Sequence, residues 1–170
     1  MARRRSGGTP GRRDRDPRPR TWPRTGGIRV ILVDTNVWSE TTKRSPDPAV
    51  LAWLVAHRDQ LALCSITVGE LLNGVELMTA GRRRDELTAS VERLISNGRG
   101  RTYPYDEPAA RAYAGIVTRR RSAGRPFAKP EDAMIAAIAI ANECSVATRN
   151  VGDFAEMGVE LINPWETAQP

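Results

Sequence analysis

The stretch Ile28-Arg29-Val30-Ile31-Leu32-Val33-Asp34-Thr35-Asn36-Val37-Trp38-Ser39 decides the fold. Its first six residues are almost all β-branched or leucine. A short continuous apolar run of this kind reads as a strand buried on both faces, as in a parallel sheet. The run stops at Asp34-Thr35-Asn36. An acid directly after a buried parallel strand stands at the strand's carboxyl end, where open α/β sheets place their ligands. On this stretch alone, Asp34 as the cap of the next helix is an equally open reading.

The 170 residues are enough for one domain with a single core. No apolar run approaches the roughly 18 residues needed to cross a bilayer, and the basic start is not followed by a signal-peptide core. Cys64 and Cys144 each lie in an apolar, strand-like run and read as reduced, buried thiols. This pattern suits a cytoplasmic protein and does not suit a disulfide framework.

The net charge of +6 is unevenly placed. Residues 1–27 hold nine arginines and two aspartates, a balance of +7, which leaves the remainder at −1. That first segment is rich in Arg, Pro and Gly with almost no aliphatic residue, so it reads as a disordered basic tail. RNA phosphates are its natural partner if it has one. Residues 28–166 form the expected folded domain.

Strands and helices alternate along that domain. Leu61 to Ile66 reads as a second buried strand, and Thr67-Val68-Gly69-Glu70 opens a helix to about Thr79. Thr67-x-x-Glu70 matches a capping box, which is the structural explanation of Glu70. Pro48 to His57 and the region from Arg82 to Asn97-Gly98 read as further helices, with Ser39 to Pro48 a polar loop. Arg101 to Tyr105 reads as a third strand. Glu107 to Ser122 reads as a helix with Ala110, Tyr113, Ala114 and Val117 inward. Glu131 to Ala141 is apolar nearly all round and must be a buried helix. Ser145 to Thr148 and Val159 to Ile162 complete five strands, with a short helix between them. The alternation implies an α/β fold: a mainly parallel central sheet of about five strands, covered on both faces.

Four acids take comparable places in this order. Asp34 follows the first strand, Glu70 the second, Asp132 opens the buried helix, and Asp153 follows the fourth strand. Strand carboxyl ends and the following helix starts face one edge of a parallel sheet, so these acids can meet in one crevice. Packed carboxylates repel, and a helix dipole offsets only about 0.3–1 kcal/mol each. A hard divalent cation offsets more. Oxygen ligands point to Mg²⁺, with Mn²⁺ an option, whereas Zn²⁺ would draw on Cys or His. His57 is the only histidine. Such a metal site can activate water against a phosphodiester.

The segments Val33-Asp34-Thr35-Asn36-Val37, Ser65-Ile66-Thr67-Val68-Gly69-Glu70-Leu71, Asp132-Ala133-Met134-Ile135-Ala136-Ala137 and Thr148-Arg149-Asn150-Val151-Gly152-Asp153-Phe154 together resemble the PIN domain. More closely they resemble the VapC ribonuclease toxins of bacterial toxin–antitoxin pairs, over about residues 30–165. The resemblance implies a three-layer α/β/α sandwich and Mg²⁺-dependent endonucleolytic cleavage of RNA. It implies Asp34, Glu70, Asp132 and Asp153 as catalytic, metal-binding acids, with Asn36, Thr148 and Asn150 lining the same pocket. It further implies a homodimer, with a higher toxin–antitoxin assembly as an option. A small cognate antitoxin would lie over the crevice, an arginine from it competing with the metal. The apolar residues near Trp38 and Trp53 read either as the antitoxin's groove or as core. Residues 1–27 fall outside the family pattern.

Two other enzyme readings and one binding reading stand beside this. A PIN nuclease of RNA processing needs no antitoxin. An aspartate-nucleophile phosphatase wants a second aspartate two residues after the first, where this chain has Asn36. A non-catalytic RNA- or protein-binding module would have no need of four acids so placed.

Overall fold

Ile31–Val33 forms β1, and its three side chains are all buried, as a two-faced strand requires. The computed structural model describes residues 29–124 and 129–166. The expected basic tail, residues 1–27, lies outside the described residues. The other strands are β2 (Leu61–Cys64), β3 (Thr102–Tyr103), β4 (Ser145–Ala147) and β5 (Leu161–Ile162). They line up as β3-β2-β1-β4-β5, and all four pairings are parallel. β1 is central: Leu32 pairs with Ala62 on one side and Val146 on the other. The chain therefore builds outward from β1 in one direction through β2 and β3, and in the other through β4 and β5. The order reverses between β1 and β4, the kind of switch point where α/β sheets open a crevice.

The helices are α1 (Thr35–Glu40), α2 (Pro48–Ala56), α3 (Ser65–Glu76), α4 (Arg82–Asn97), α5 (Glu107–Ser122), α6 (Pro130–Ala141) and α7 (Val151–Phe154). Successive strand residues face opposite ways, and two cores result. Leu32, Ala62 and Val146 join a cluster with Ala109 and Ile116 of α5 and the residues Ala133 and Ile135 to Ala139 of α6. Ile31, Val33, Leu61 and Ala147 join Val37 of α1 and Val50, Trp53 and Leu54 of α2. The sheet is thus the middle layer of three. A smaller cluster, Leu71, Val75 and Val91, ties α3 to α4. The nearly all-apolar α6 has seven buried residues, as its composition demanded.

Some boundaries and faces differ from those the sequence suggests. α3 starts at Ser65, two residues early, because the Cys64 thiol caps it by accepting from the Thr67 amide at 3.5 Å. Thr67 is then a fully buried residue inside the helix, and the Thr67–Glu70 capping box does not form. Glu70 stands in the second turn, freed for another partner. On α5 the buried stripe runs through Ala109, Ala112, Tyr113 and Ile116, while Ala114 is exposed. Those four have the i, i+3, i+4, i+7 spacing of one face; the expected Ala110, Ala114, Val117 stripe lies one residue further on, and Ile116 wins because it is the bulkier apolar side chain. The loop expected from Ser39 begins after Glu40. Glu40 is buried and is satisfied by Lys43 Nζ at 2.5 Å and the Asp47 amide at 2.9 Å.

Candidate active site

Asp34 leaves β1 at the switch point, and its own amide bonds the Ala147 carbonyl of β4 at 2.9 Å. Its side chain is 5% exposed. It is both the cap of α1 and the centre of a polar network, so the two readings of this residue coexist. Oδ1 accepts from the Thr35 amide at 2.7 Å. Oδ2 accepts from Asn36 Nδ2 at 2.6 Å and from the fully buried Thr148 hydroxyl at 2.7 Å. Asn36 Nδ2 also reaches Thr148 Oγ1 at 3.1 Å, and its Oδ1 accepts from the Arg149 amide at 3.2 Å. The Asn150 amide donates to Thr148 Oγ1 at 3.0 Å. Asn150 thus enters the network through its backbone. Burial pushes the Asp34 carboxyl above its ordinary value, against the hydrogen bonds from Thr148, Thr35 and Asn36 and the positive charge of Lys129.

Glu70 Oε2 accepts from the Thr35 hydroxyl at 2.6 Å. Its carboxyl is also raised, by burial first and then by the charges of Asp34 and Glu131, with the Thr35 bond and Lys129 opposing. Asp132 sits in the first turn of α6 and is 8% exposed. Its carboxyl is pushed up to about 6 by burial, then by Asp34, Asp153 and Glu70, with Lys129 pulling the other way. The four sequence-predicted acids therefore share one electrostatic environment. Asp34 and Asp132 are its buried members. Asp153, in α7, is exposed, and its charge acts on Asp132 from the rim.

Among the described residues, no three Asp, Glu, His or Cys side chains stand grouped so as to hold a metal ion. The donor chemistry nevertheless suits a hard cation. The acids raise one another's proton affinity, they offer oxygen ligands alone, and none of the ion pairs among the described residues includes Asp132.

Several site residues were not singled out by the sequence. Thr35 orients Glu70, although the Asp34-Thr35-Asn36 triplet carried the signal. Lys129, the cap position of α6, places the positive charge felt by Asp34, Glu70 and Asp132. The arginine run at the end of α5 does more than complement the helix dipole. Arg120 Nη1 donates to the carbonyls of Asp153 at 3.4 Å and Ala155 at 2.9 Å, and Arg119 Nη2 to that of Met157 at 3.3 Å. They clamp the segment that carries Asp153.

Away from the acids, a cavity of about 590 Å³ opens between α1, α2 and α4, lined among others by Trp38, Leu51, Leu54, Val55 and Leu94. Trp38 Nε1 is the one buried side-chain nitrogen or oxygen without a hydrogen-bond partner among the described residues. Trp53 is core, whereas Trp38 belongs to the cavity wall.

The chain is similar to known proteins in sequence and fold. The PIN domain family model matches residues 31–160. The chain is 42% identical over 139 residues to the plasmid stability protein StbB of Pseudomonas syringae pv. tomato, covering 81% of this chain and 99% of that protein. It is 41% identical over 141 residues to the VapC ribonuclease Y4jK of Sinorhizobium fredii, covering 82% and 100%. The crystal structure of FitAcB from Neisseria gonorrhoeae superposes with a TM-score of 0.76 at 37% identity, covering 81% of this chain and 99% of that one.

Proposed function

Because this chain belongs to the PIN domain family, on its VapC toxin branch, we propose that it is the toxin of a toxin–antitoxin pair, an endoribonuclease that hydrolyses RNA phosphodiesters with Mg²⁺ at the acid crevice. One observation carries this reading. A buried aspartate at the sheet's switch point is fixed by three hydrogen-bond donors, beside a second aspartate whose carboxyl is driven to about 6 by burial, by the first aspartate and by two further acids. Surface acids and helix caps have no reason to be so gathered.

Asp34 and Asp132 would hold the cation from within, Glu70 and Asp153 from the open side; Mn²⁺ suits the same oxygens. When bound, the metal supplies Lewis acidity toward the phosphate and lowers the pKa of water. The chain's own residues do the rest. Thr148, Asn36 and the Thr35 amide hold the Asp34 carboxylate in one orientation. The Thr35 hydroxyl holds that of Glu70. Arg119 and Arg120 hold the turn that presents Asp153. The acids must be deprotonated to act as ligands, so metal loading strengthens as pH rises through the Asp132 value.

The partner is a small antitoxin, seated over the crevice and in the apolar cavity beside Trp38. The toxin acts as a homodimer in the cytoplasm, where RNA is met and where Cys64 and Cys144 remain free thiols. Among the described residues no helix is long and apolar enough to cross a membrane.

The test uses the full chain, purified free of partner, and total bacterial RNA. Discrete fragments are expected with Mg²⁺, none with EDTA, and none from Asp34→Ala. A folded chain that leaves RNA intact with both Mg²⁺ and Mn²⁺ overturns the reading.

A further inference from the structure

Four acids around one crevice repel an RNA backbone, and the folded part of the chain carries no net positive charge to offset them. A strand can settle there only if fixed cations meet the phosphates beside the scissile one. Arg149 is the residue directly after Thr148, whose hydroxyl holds Asp34. Its backbone amide is tied to Asn36 Oδ1 at 3.2 Å, so its root belongs to the same network. Its guanidinium carbon lies 5.2 Å from the centroid of the Trp165 ring. Trp165 is itself anchored: its amide donates to Asn163 Oδ1 at 3.1 Å, and its ring packs on the core beneath β1. None of the ion pairs among the described residues includes Arg149, although the residue is exposed. Glu40 feels its charge, but that carboxylate is already engaged by Lys43 and the Asp47 amide. The result is a cation held at both ends of its side chain, with its donors unclaimed by any ion pair among the described residues. A stacked arginine keeps its planar fork free for the oxygens of a phosphate.

We propose that Arg149, laid over Trp165, is a phosphate anchor for the RNA strand beside the acid crevice, with Trp165 as the residue that positions it. This rests on the ribonuclease reading above. Arg149 binds a phosphate next to the scissile one. It therefore governs RNA affinity and leaves the chemistry at the acids to the carboxylates.

The experiment measures binding of a short fluorescein-labelled single-stranded RNA by anisotropy across a series of KCl concentrations. It uses the full chain carrying Asp132→Asn, so that the RNA stays uncut. Losing one phosphate contact on a single strand lowers the slope of log Kd against log salt by about 0.7. Arg149→Gln should show that loss, with affinity down about fivefold at low salt. Arg93→Gln removes the same charge from the exposed face of α4 and should match the parent. Trp165→Ala should weaken binding and leave Arg149→Gln little to add, whereas Trp165→Phe should restore most of it. In the active chain, Arg149→Gln should raise KM about fivefold with kcat within about twofold.

Equal affinity and equal slope in Arg149→Gln and Arg93→Gln overturn the proposal. A wild-type chain that binds RNA without cutting it, while Arg149→Gln still loses the slope, overturns the ribonuclease reading and leaves the anchor standing. A chain that neither binds nor cuts overturns both.

Discussion

Replacing Asp132 with Asn should make the metal-free protein more stable near neutral pH while abolishing its activity. The Asp132 carboxyl lies at about 6 in the folded chain against an ordinary 3.8, raised by burial and by Asp34, Asp153 and Glu70. A folded value above the unfolded one means that the stabilising contribution is complete below the unfolded value and is lost as pH rises through about 6. The shift of about 2 units corresponds to about 3 kcal/mol at 1.36 kcal/mol per unit, which solvent screening at this crevice reduces to about 2 kcal/mol. Asn keeps the shape of the protonated acid and never acquires the charge. In EDTA at pH 7.5 the variant should therefore melt about 4–8 °C above wild type, and at pH 4.5 the gap should shrink to about a third of that. Mg²⁺ should reverse the order: wild type gains about 2.7 kcal/mol at a hundredfold excess over its Kd, and the variant gains far less. The assay is thermal unfolding at the two pH values with and without Mg²⁺, beside RNA cleavage. An Asp132→Asn chain that melts below wild type in EDTA at pH 7.5, or by the same margin at both pH values, refutes the electrostatic reasoning.

Three further outcomes follow from other contacts. Thr148→Val keeps the shape but removes the 2.7 Å bond to Asp34. A hydrogen bond to a charged group is worth about 1.5–3 kcal/mol, so the acid limb of the cleavage–pH profile should move up by about one unit or more. Thr35→Val frees Glu70 from its 2.6 Å partner and should raise the Mg²⁺ concentration for half-maximal cleavage about tenfold, read from a metal titration. Leu51→Glu places a charge in the apolar cavity beside Trp38; co-purification of the antitoxin should be lost while RNA cleavage in its absence is kept.

The sequence showed the sheet wherever a strand had to be buried on both faces. Ile31 to Val33, Leu61 to Cys64 and Ser145 to Ala147 leave no other reading, and α6 is equally plain because nearly every side is apolar. It was less informative where an unusual group took a familiar role. A thiol is not an expected helix cap, so the sequence points to a Thr67–Glu70 capping box that the early start of α3, capped by Cys64, removes. In α5 the alanines on adjacent faces carry little burial signal, which left the choice to Ile116. At the site, acids after strands could be read from spacing alone. Their partners could not: Thr35, Lys129 and Arg149 are defined by which chain segments meet at the switch point, and Arg119 and Arg120 by a loop that returns from the far side of β4.

The most direct test of the central claim is made in a growing cell. A bacterial host expresses the full chain, wild type beside Asp34→Ala, and total RNA is resolved on a gel as growth is followed. Growth arrest with new RNA fragments is expected from wild type, and neither from Asp34→Ala. Soluble, folded wild-type protein that leaves both growth and RNA unchanged, with no antitoxin bound to it, would contradict the account.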